Sequence, residues 1–421
     1  MQVTVALETR YFVAPDGSVW SQVGMARSFW ERYLEVFDSV RIVARGARVD
    51  SVAEGWSRVD HDRIIFHGVR NYQGPWQYLQ AFKEVHRNIR AAVPHDGAVI
   101  LRVPSHLGNG LERELERIGY PYAAEVVGDP HEVFAPGVVR HPLRPVFRRW
   151  FSRQLRRQCN RACGVAYVTK RTLQERYPPG GGMTDPRDGG ADDRSCQNAG
   201  RFITDYSSIE LPGPWFAPPE GHPHSNGPHT VITVGSLEQG YKGTDVLIDA
   251  IAQCVREGSD VRAVIVGDGK CRPSLMSRAA RHSIADRIRF AGQVSAGREI
   301  QKLLDAAHLF VLPSRTEGLP RALIEAMARG LPCVASAVGG IPELLPPEDM
   351  VGPADAKALA TKLREVLANP GRMSEMTRRN RLTALQYRDT VLRERRFKFY
   401  KQVREYTRQW EQQRRRVSCG R

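Results

Sequence analysis

Long apolar runs are missing from this 421-residue chain, and none approaches the ~20 residues needed to cross a bilayer. The chain starts on a strand-like run, Gln2-Val-Thr-Val-Ala-Leu7, without the basic flank and extended apolar stretch of a secretory signal. Cysteine is scarce: seven, an odd number, with no CxxC pair. Cys159 and Cys163 stand one helical turn apart, the spacing of packing neighbours, so neither a disulfide framework nor structural zinc is expected. Together these absences predict a reduced, cytoplasmic protein. The acidic triplet Asp60-His61-Asp62 precedes its strand and has no second acidic cluster to support it, so it reads as a turn and no metal is expected. What is present is globular: 41% hydrophobic and 26% charged residues, over a length that suits two or three domains.

Acidic charge is also in short supply, leaving a formal +16 that is unevenly spread. Segment 391–421 holds eleven Lys/Arg against three Glu, and segment 143–162 holds seven Arg and no acid, so the remainder carries only +1. Phe147, Phe151 and Leu155 recur every four residues in the earlier segment, the pattern of a basic amphipathic helix. Two readings fit both segments: a solvated arginine face, or peripheral contact with an anionic membrane. Nucleic acid is not expected as a partner, because no binding motif accompanies the charge.

Both halves alternate strand-like and helix-like segments, the pattern of parallel α/β sheets. Strands are predicted at 2–7, 39–44, 63–69, 97–103, 122–127 and 164–168, with helices near 20–37, 76–92, 107–118 and 143–162. The second half predicts strands at 231–235, 261–267, 288–292, 309–312 and 332–336. Helices there fall near 243–257, 273–282, 298–306, 320–329, 355–367 and 371–387, with a long one from 391. Two breaker-rich stretches interrupt the rhythm: 178–200, read as a mobile loop, and 211–229, a proline-rich linker. The domains expected are therefore 1–210, 230–390, and a basic C-terminal helix and tail over 391–421.

The most informative stretch is Ser314-Arg-Thr-Glu-Gly-Leu-Pro-Arg-Ala-Leu-Ile-Glu325, which follows the strand-like Leu309-Phe-Val-Leu312. Pro320 suits a first helical turn, where its missing N–H leaves no bond unmade. An open helix N-terminus attracts anions. Glu317 before the helix and Glu325 within it are acceptors for hydroxyls on either side of a bound phosphate, which is the layout of a nucleotide sugar. Glu317-x7-Glu325, with Gly318 after the first Glu and Ala326-Met-Ala-Arg-Gly330 after the second, resembles the signature of family 4 glycosyltransferases. Pro332-Cys-Val-Ala-Ser336 and Gly339-Gly-Ile-Pro-Glu343 extend the likeness, which runs from about Val231 to Val351. The N-terminal half is similar to the 2-deoxystreptamine glycosyltransferases of aminoglycoside antibiotic pathways.

That resemblance implies a GT-B fold: two Rossmann-like domains facing a central cleft, with the C-terminal helix crossing back to the first. It implies a retaining, metal-independent transfer of N-acetylglucosamine or glucose from a UDP-sugar, with no other cofactor. The acceptor expected is 2-deoxystreptamine, with a lipid-linked envelope or exopolysaccharide acceptor as the alternative. In the loop Val231-Ile-Thr-Val-Gly-Ser-Leu-Glu-Gln-Gly-Tyr-Lys242, Lys242 matches the family's phosphate-binding lysine, whereas Ser236 stands where an Arg is usual. Glu317 and Lys242 are the implied catalytic pair. Donor contacts extend to Gly267, Gly318, Leu319 and Glu325, with backbone near Gln293 and Val294 reading the base. On the acceptor side the candidates are Gly17, Ser18, His106 and Asp129, although Gly128-Asp129 stands where a family histidine is expected. A cationic aminocyclitol would further need carboxylates, for which Glu8, Asp16 and Asp129 lie at strand ends or in loops.

Overall fold

Runs rich in valine and isoleucine build two parallel sheets, one in each of the two units into which the chain divides. A computed structural model describes residues 1–22, 24–135, 141–180, 201–216, 227–294 and 297–419. The first unit comprises Met1–Gly128, Trp150–Tyr206 and Arg393–Arg421, and the second comprises Asp129–Arg149 and Ser207–Leu392.

In the first unit the strands are β1 (Gln2–Val13), β2 (Val19–Ser21), β3 (Ser39–Arg48), β4 (Ser57–Arg58), β5 (Ile64–Arg70), β6 (Ala98–Val103), β7 (Ala123–Val126), β8 (Gly164–Tyr167) and β9 (Phe202–Asp205). Seven run parallel in the order β5-β3-β1-β6-β7-β8-β9, and β2 and β4 add an antiparallel extension beyond the end of β1. Every residue of β6, β7 and β8 is buried, as parallel strands covered on both faces require. Helices α1 (Gly74–Ala91), α2 (His106–Arg117) and α3 (Arg144–Arg161) accompany this sheet.

The second unit holds β10 (His229–Val234), β11 (Val261–Val266), β12 (Ile288–Gly292), β13 (Leu309–Leu312), β14 (Cys333–Ser336) and β15 (Met350–Val351). Their order is β12-β11-β10-β13-β14-β15, all parallel, a doubly wound sheet whose order reverses between β10 and β13. The helices that matter below are α4 (Thr244–Arg256), α5 (Arg272–Arg281) and α6 (Arg321–Ala328).

The last helix, α7 (Asp389–Cys419), belongs to the first unit from Arg393 onward. Arg395 pairs with Asp205 at 2.7 Å, Arg404 donates to the Val36 carbonyl at 2.8 Å, and the Trp410 ring lies 4.6 Å from that of Tyr120. Its Tyr400 reaches a wholly buried polar cluster. There Glu125 accepts from Tyr206 at 2.8 Å and Tyr400 at 3.1 Å, from Tyr33, and from Arg102, its ion-pair partner. Burial pushes the hydroxyls of Tyr33, Tyr206 and Tyr400 well above the usual tyrosine range, so all three remain protonated donors.

Three expectations need correction. No helix spans 20–37: Val19–Ser21 is a strand paired with β1, and only Arg27–Glu31 is helical. Phe29, Tyr33 and Phe37 are buried at four-residue spacing, but only Phe29 is in the helix, and beyond Glu31 successive turns bring in Tyr33 and Phe37. Residues 129–149, expected in the first domain, group with the second unit; among the described residues they add no strand to the first sheet. Of the expected loop 178–200 and linker 211–229, residues 181–200 and 217–226 lie outside the described residues, while Trp215 and Phe216 are buried in a 3-10 turn. Asp60-His61-Asp62 is a turn: Asp60 accepts from the Val19 N–H at 2.7 Å and pairs with Arg58 at 2.9 Å.

Candidate active site

Three loops meet at the carboxyl ends of the central strands of the second sheet. Glycine permits their approach. A Cβ on Gly267 would stand 1.9 Å from the Gly235 carbonyl oxygen, and one on Gly269 would stand 2.2 Å from the Glu238 nitrogen. Gly243 has φ +67°, and a Cβ there would fall 1.9 Å from the Pro313 oxygen. The loop after β10 is thereby pressed against the loops after β11 and β13.

The first of these loops carries Lys242, whose Nζ lies 2.7 Å from Glu317 Oε1 in the loop after β13. Ser314 Oγ donates to the same oxygen at 2.6 Å. Glu317 is 7% exposed and Lys242 18%, so this pair sits in a low-dielectric setting, and among the described residues the second Glu317 oxygen accepts no hydrogen bond. Arg315 clamps the Lys242 loop from the other side. It makes a double-pronged pair with Asp245 at 2.7 and 2.9 Å, donates to the Gly240 carbonyl at 2.7 Å, and its backbone N–H donates to Tyr241 at 2.7 Å. Gly339 approaches Glu317 so closely that a Cβ would meet its carbonyl at 1.9 Å, and the Gly340 N–H donates to Gly318 at 2.8 Å. Glu317, Gly318 and Leu319 are thus held between two strand ends, just before α6.

No side chain caps the N-terminus of α6, which follows Pro320. The Glu325 side chain, one turn in, forms no hydrogen bond among the described residues. Burial raises its carboxyl pKa, against a smaller opposing pull from Arg321. Ser236 accepts from the Glu238 N–H at 3.2 Å and so closes a local turn. The nearby cations Lys270 and Arg272 are each tied to a carboxylate, Glu238 and Asp268. Gln293 is exposed and Val294 half-buried after Gly292, whose carbonyl accepts from the Gly267 N–H at 2.8 Å.

The acceptor-side candidates are placed differently, with Gly17, Ser18 and His106 in the first unit and Asp129 in the second. Gly17 and Ser18 form the β1–β2 turn, where Ser18 Oγ donates to Asp16 at 2.6 Å and accepts from Trp20. Asp129 caps a short helix by accepting from the His131 N–H at 2.9 Å. Glu8 holds the start of α2, accepting from the His106 N–H at 2.8 Å, from Leu107 and Ser105 at 3.2 Å, and from Tyr72 at 3.1 Å. His106 faces Tyr78, Trp150 and Phe151, and burial lowers its pKa, which keeps the ring neutral at neutral pH.

Sequence reasoning passed over Ser314, Arg315, Asp245 and Gly243. Gly243 carried a signal, a glycine immediately before a helix. The Arg315–Asp245 pair spans 70 positions and carried none. Gly243→Ala is expected to cost about 1–3 kcal/mol through backbone strain and to displace Lys242. A lowered melting temperature together with weaker donor binding by calorimetry checks it, and wild-type values for both would refute it.

Residues 228–369 match the family described as "Glycosyl transferases group 1". That stretch, about a third of the chain, resembles a group 1 glycosyltransferase domain, and the chain is a glycosyltransferase. Among curated relatives, it is 25% identical to protein CapJ of Staphylococcus aureus over 81% of this chain and 80% of CapJ. A 145-residue stretch is 35% identical to the putative colanic acid biosynthesis glycosyltransferase WcaL of Escherichia coli, covering 32% of this chain and 35% of WcaL. A 117-residue stretch is 32% identical to the phosphatidylinositol N-acetylglucosaminyltransferase gpi3 subunit of Schizosaccharomyces pombe, covering 28% of this chain and 25% of that protein. The chain therefore spans about a third or less of the latter two. Among solved structures, sucrose-phosphate synthase from Thermosynechococcus elongatus aligns with a TM-score of 0.66 at 17% identity, over 96% of this chain and 99% of that one. HepE of Anabaena, solved with UDP and glucose, gives 0.61 at 17%, over 94% and 98%. These structural likenesses establish the GT-B fold, two Rossmann-like domains.

Proposed function

We propose that the chain transfers a hexose, with retention, from a UDP-sugar (UDP-N-acetylglucosamine or UDP-glucose) to an envelope or exopolysaccharide acceptor carried on a lipid, as a family 4 enzyme. The observation that carries the donor reading is the Glu317–Lys242–Ser314 cluster at the strand ends beside the uncapped start of α6. In this mechanism Glu317 orients the hexose, Glu325 accepts from the ribose, and backbone near Gln293 and Val294 reads the base. Gly267, Gly318 and Leu319 shape the donor pocket. The bond from the anomeric carbon to the diphosphate oxygen breaks while the acceptor oxygen bonds to the same face, and the acceptor's proton passes to the departing phosphate oxygen. Lys242 offsets the charge that grows there. Ser236 supplies no cation, so Lys242 bears more of this task than in relatives with an Arg at that place.

Two observations favour the polysaccharide acceptor over 2-deoxystreptamine. CapJ, WcaL and the amylovoran biosynthesis glycosyltransferase AmsK of Erwinia amylovora include two named for polysaccharide synthesis. Within this chain, Glu8, Asp16 and Asp129, the carboxylates available for an aminocyclitol's ammonium groups, are engaged by backbone and side-chain donors of their own unit. Incubating purified protein with a panel of UDP-sugars and both acceptor types, followed by mass spectrometry, tests the reading. Product from 2-deoxystreptamine alone would reverse the acceptor assignment, and no product with any donor would sink the function.

Activity is expected to survive EDTA, since Lys242 and the helix start supply the positive potential that a metal gives other transferases. Loss with chelator and recovery with Mg²⁺ or Mn²⁺ would overturn that.

A further inference from the structure

Helix α1 exposes apolar side chains that no sequence pattern singled out. Trp76 is 78% exposed, Leu79 62% and Phe82 45%. Trp76, Leu79, Lys83, Arg87 and Arg90 follow at i, i+3, i+7, i+11 and i+14, one continuous outer stripe, while Ala81, Val85 and Ile89 bury the opposite side. Trp150 of α3, 42% exposed, borders the same helix: with Tyr78, His86 and His106 it lines a cavity of about 230 Å³. Exposed Arg153 follows it by one turn. The one acid in α1, Glu84, is half-buried and tied to Arg70, and α3 has none.

We propose that this face, α1 with the neighbouring Trp150, docks the protein on an anionic lipid surface. Tryptophan and phenylalanine suit the interface, having an apolar body that enters the acyl boundary, while Lys83, Arg87 and Arg153 meet headgroup phosphates. Charge decides against a second copy of this chain as the occupant: a homotypic contact would set these cations against each other with no exposed acid in either helix to offset them. The face extends the proposed function by giving a lipid-carried acceptor a surface from which to enter, and it rests on that reading only for its purpose.

The test uses the full chain and vesicles without donor or acceptor, so its outcome is independent of whether any UDP-sugar is turned over. Wild-type protein is expected to sediment with phosphatidylglycerol–phosphatidylcholine vesicles and not with phosphatidylcholine alone. Combined Trp76→Ser, Leu79→Ser and Phe82→Ser should weaken partitioning by about tenfold or more. Lys83→Gln with Arg87→Gln should weaken it by about fivefold for each cation removed at low salt. All five side chains are exposed, and unchanged circular dichroism and UDP binding would show the variants folded. No binding of wild type to anionic vesicles, or undiminished binding of the triple serine variant, overturns the proposal. So does a wild-type dimer in sedimentation velocity that the triple variant dissolves, which would assign the face to a second copy.

Discussion

Glu317→Gln is expected to lower the transfer rate by about 10²–10³-fold, the typical effect of removing one preorganised electrostatic contact at a reacting centre. The amide keeps the shape of the carboxylate and can still accept from Ser314, so the loop after β13 should hold its course. What changes is charge. Lys242, with 18% of its side chain exposed, loses its partner 2.7 Å away, and its ammonium is no longer held beside the hexose position. The exposure that remains lets water solvate part of that charge, which limits the stability cost to about 1–2 kcal/mol. A thermal melt separates this small loss from the large kinetic one. Lys242→Met should act on the same step, with the greater effect on leaving-group departure, so the slowdown should shrink for donors with better leaving groups. Turnover by Glu317→Gln within a few-fold of wild type would mean that the hexose does not sit at this loop.

Glu125→Ala is expected to destabilise the first unit by about 3–5 kcal/mol, because it strands a buried cation. Arg102 is 6% exposed and Glu125 2%, and Tyr33, Tyr206 and Tyr400 lose their shared acceptor at the same stroke. Against a total of about 5–15 kcal/mol for a typical domain, such a loss is a large fraction. Urea unfolding followed by circular dichroism measures it, and limited proteolysis should find α7 loosened early, since Tyr400 is that helix's polar anchor in the cluster. Replacing Glu125 and Arg102 together with Leu and Met should recover much of the stability, because no lone charge is left behind. A single-variant loss below about 1 kcal/mol would show that water reaches the cluster.

Most of the second sheet was legible because its first five strands repeat one local pattern, a short strand, a loop and then a helix, whereas the two-residue β15 (Met350–Val351) was too short to be expected. Residues 231–235, 261–267, 309–312 and 332–336 were predicted as strands, and the observed strands lie within two residues of those bounds. The first half was harder. Phe29, Tyr33 and Phe37 keep helical spacing, yet their burial is satisfied by a five-residue helix followed by turns, and the strand Val19–Ser21 is too short to show alternation. The stripe Trp76-Leu79-Phe82 illustrates a related ambiguity. Its spacing is that of a core-facing helix side, and only the fold reveals that Ala81, Val85 and Ile89 take the core instead.

Composition and local order alone determined the α/β class, the parallel second sheet, the loop carrying Glu317 and the helix that begins after Pro320. Each depends on residues within a few positions of one another, where backbone periodicity and proline or glycine geometry act directly. Tertiary structure decided which groups share a charge. Lys242 with Glu317, Arg315 with Asp245, and Arg102 with Glu125 and the tyrosine of a helix 275 residues away are pairings across strands, and no spacing encodes them. It also decided that Glu8 and Asp129 cap helix starts. A carboxylate at a strand end serves a backbone N–H or a ligand equally well, and only the position of the next helix settles which one it meets.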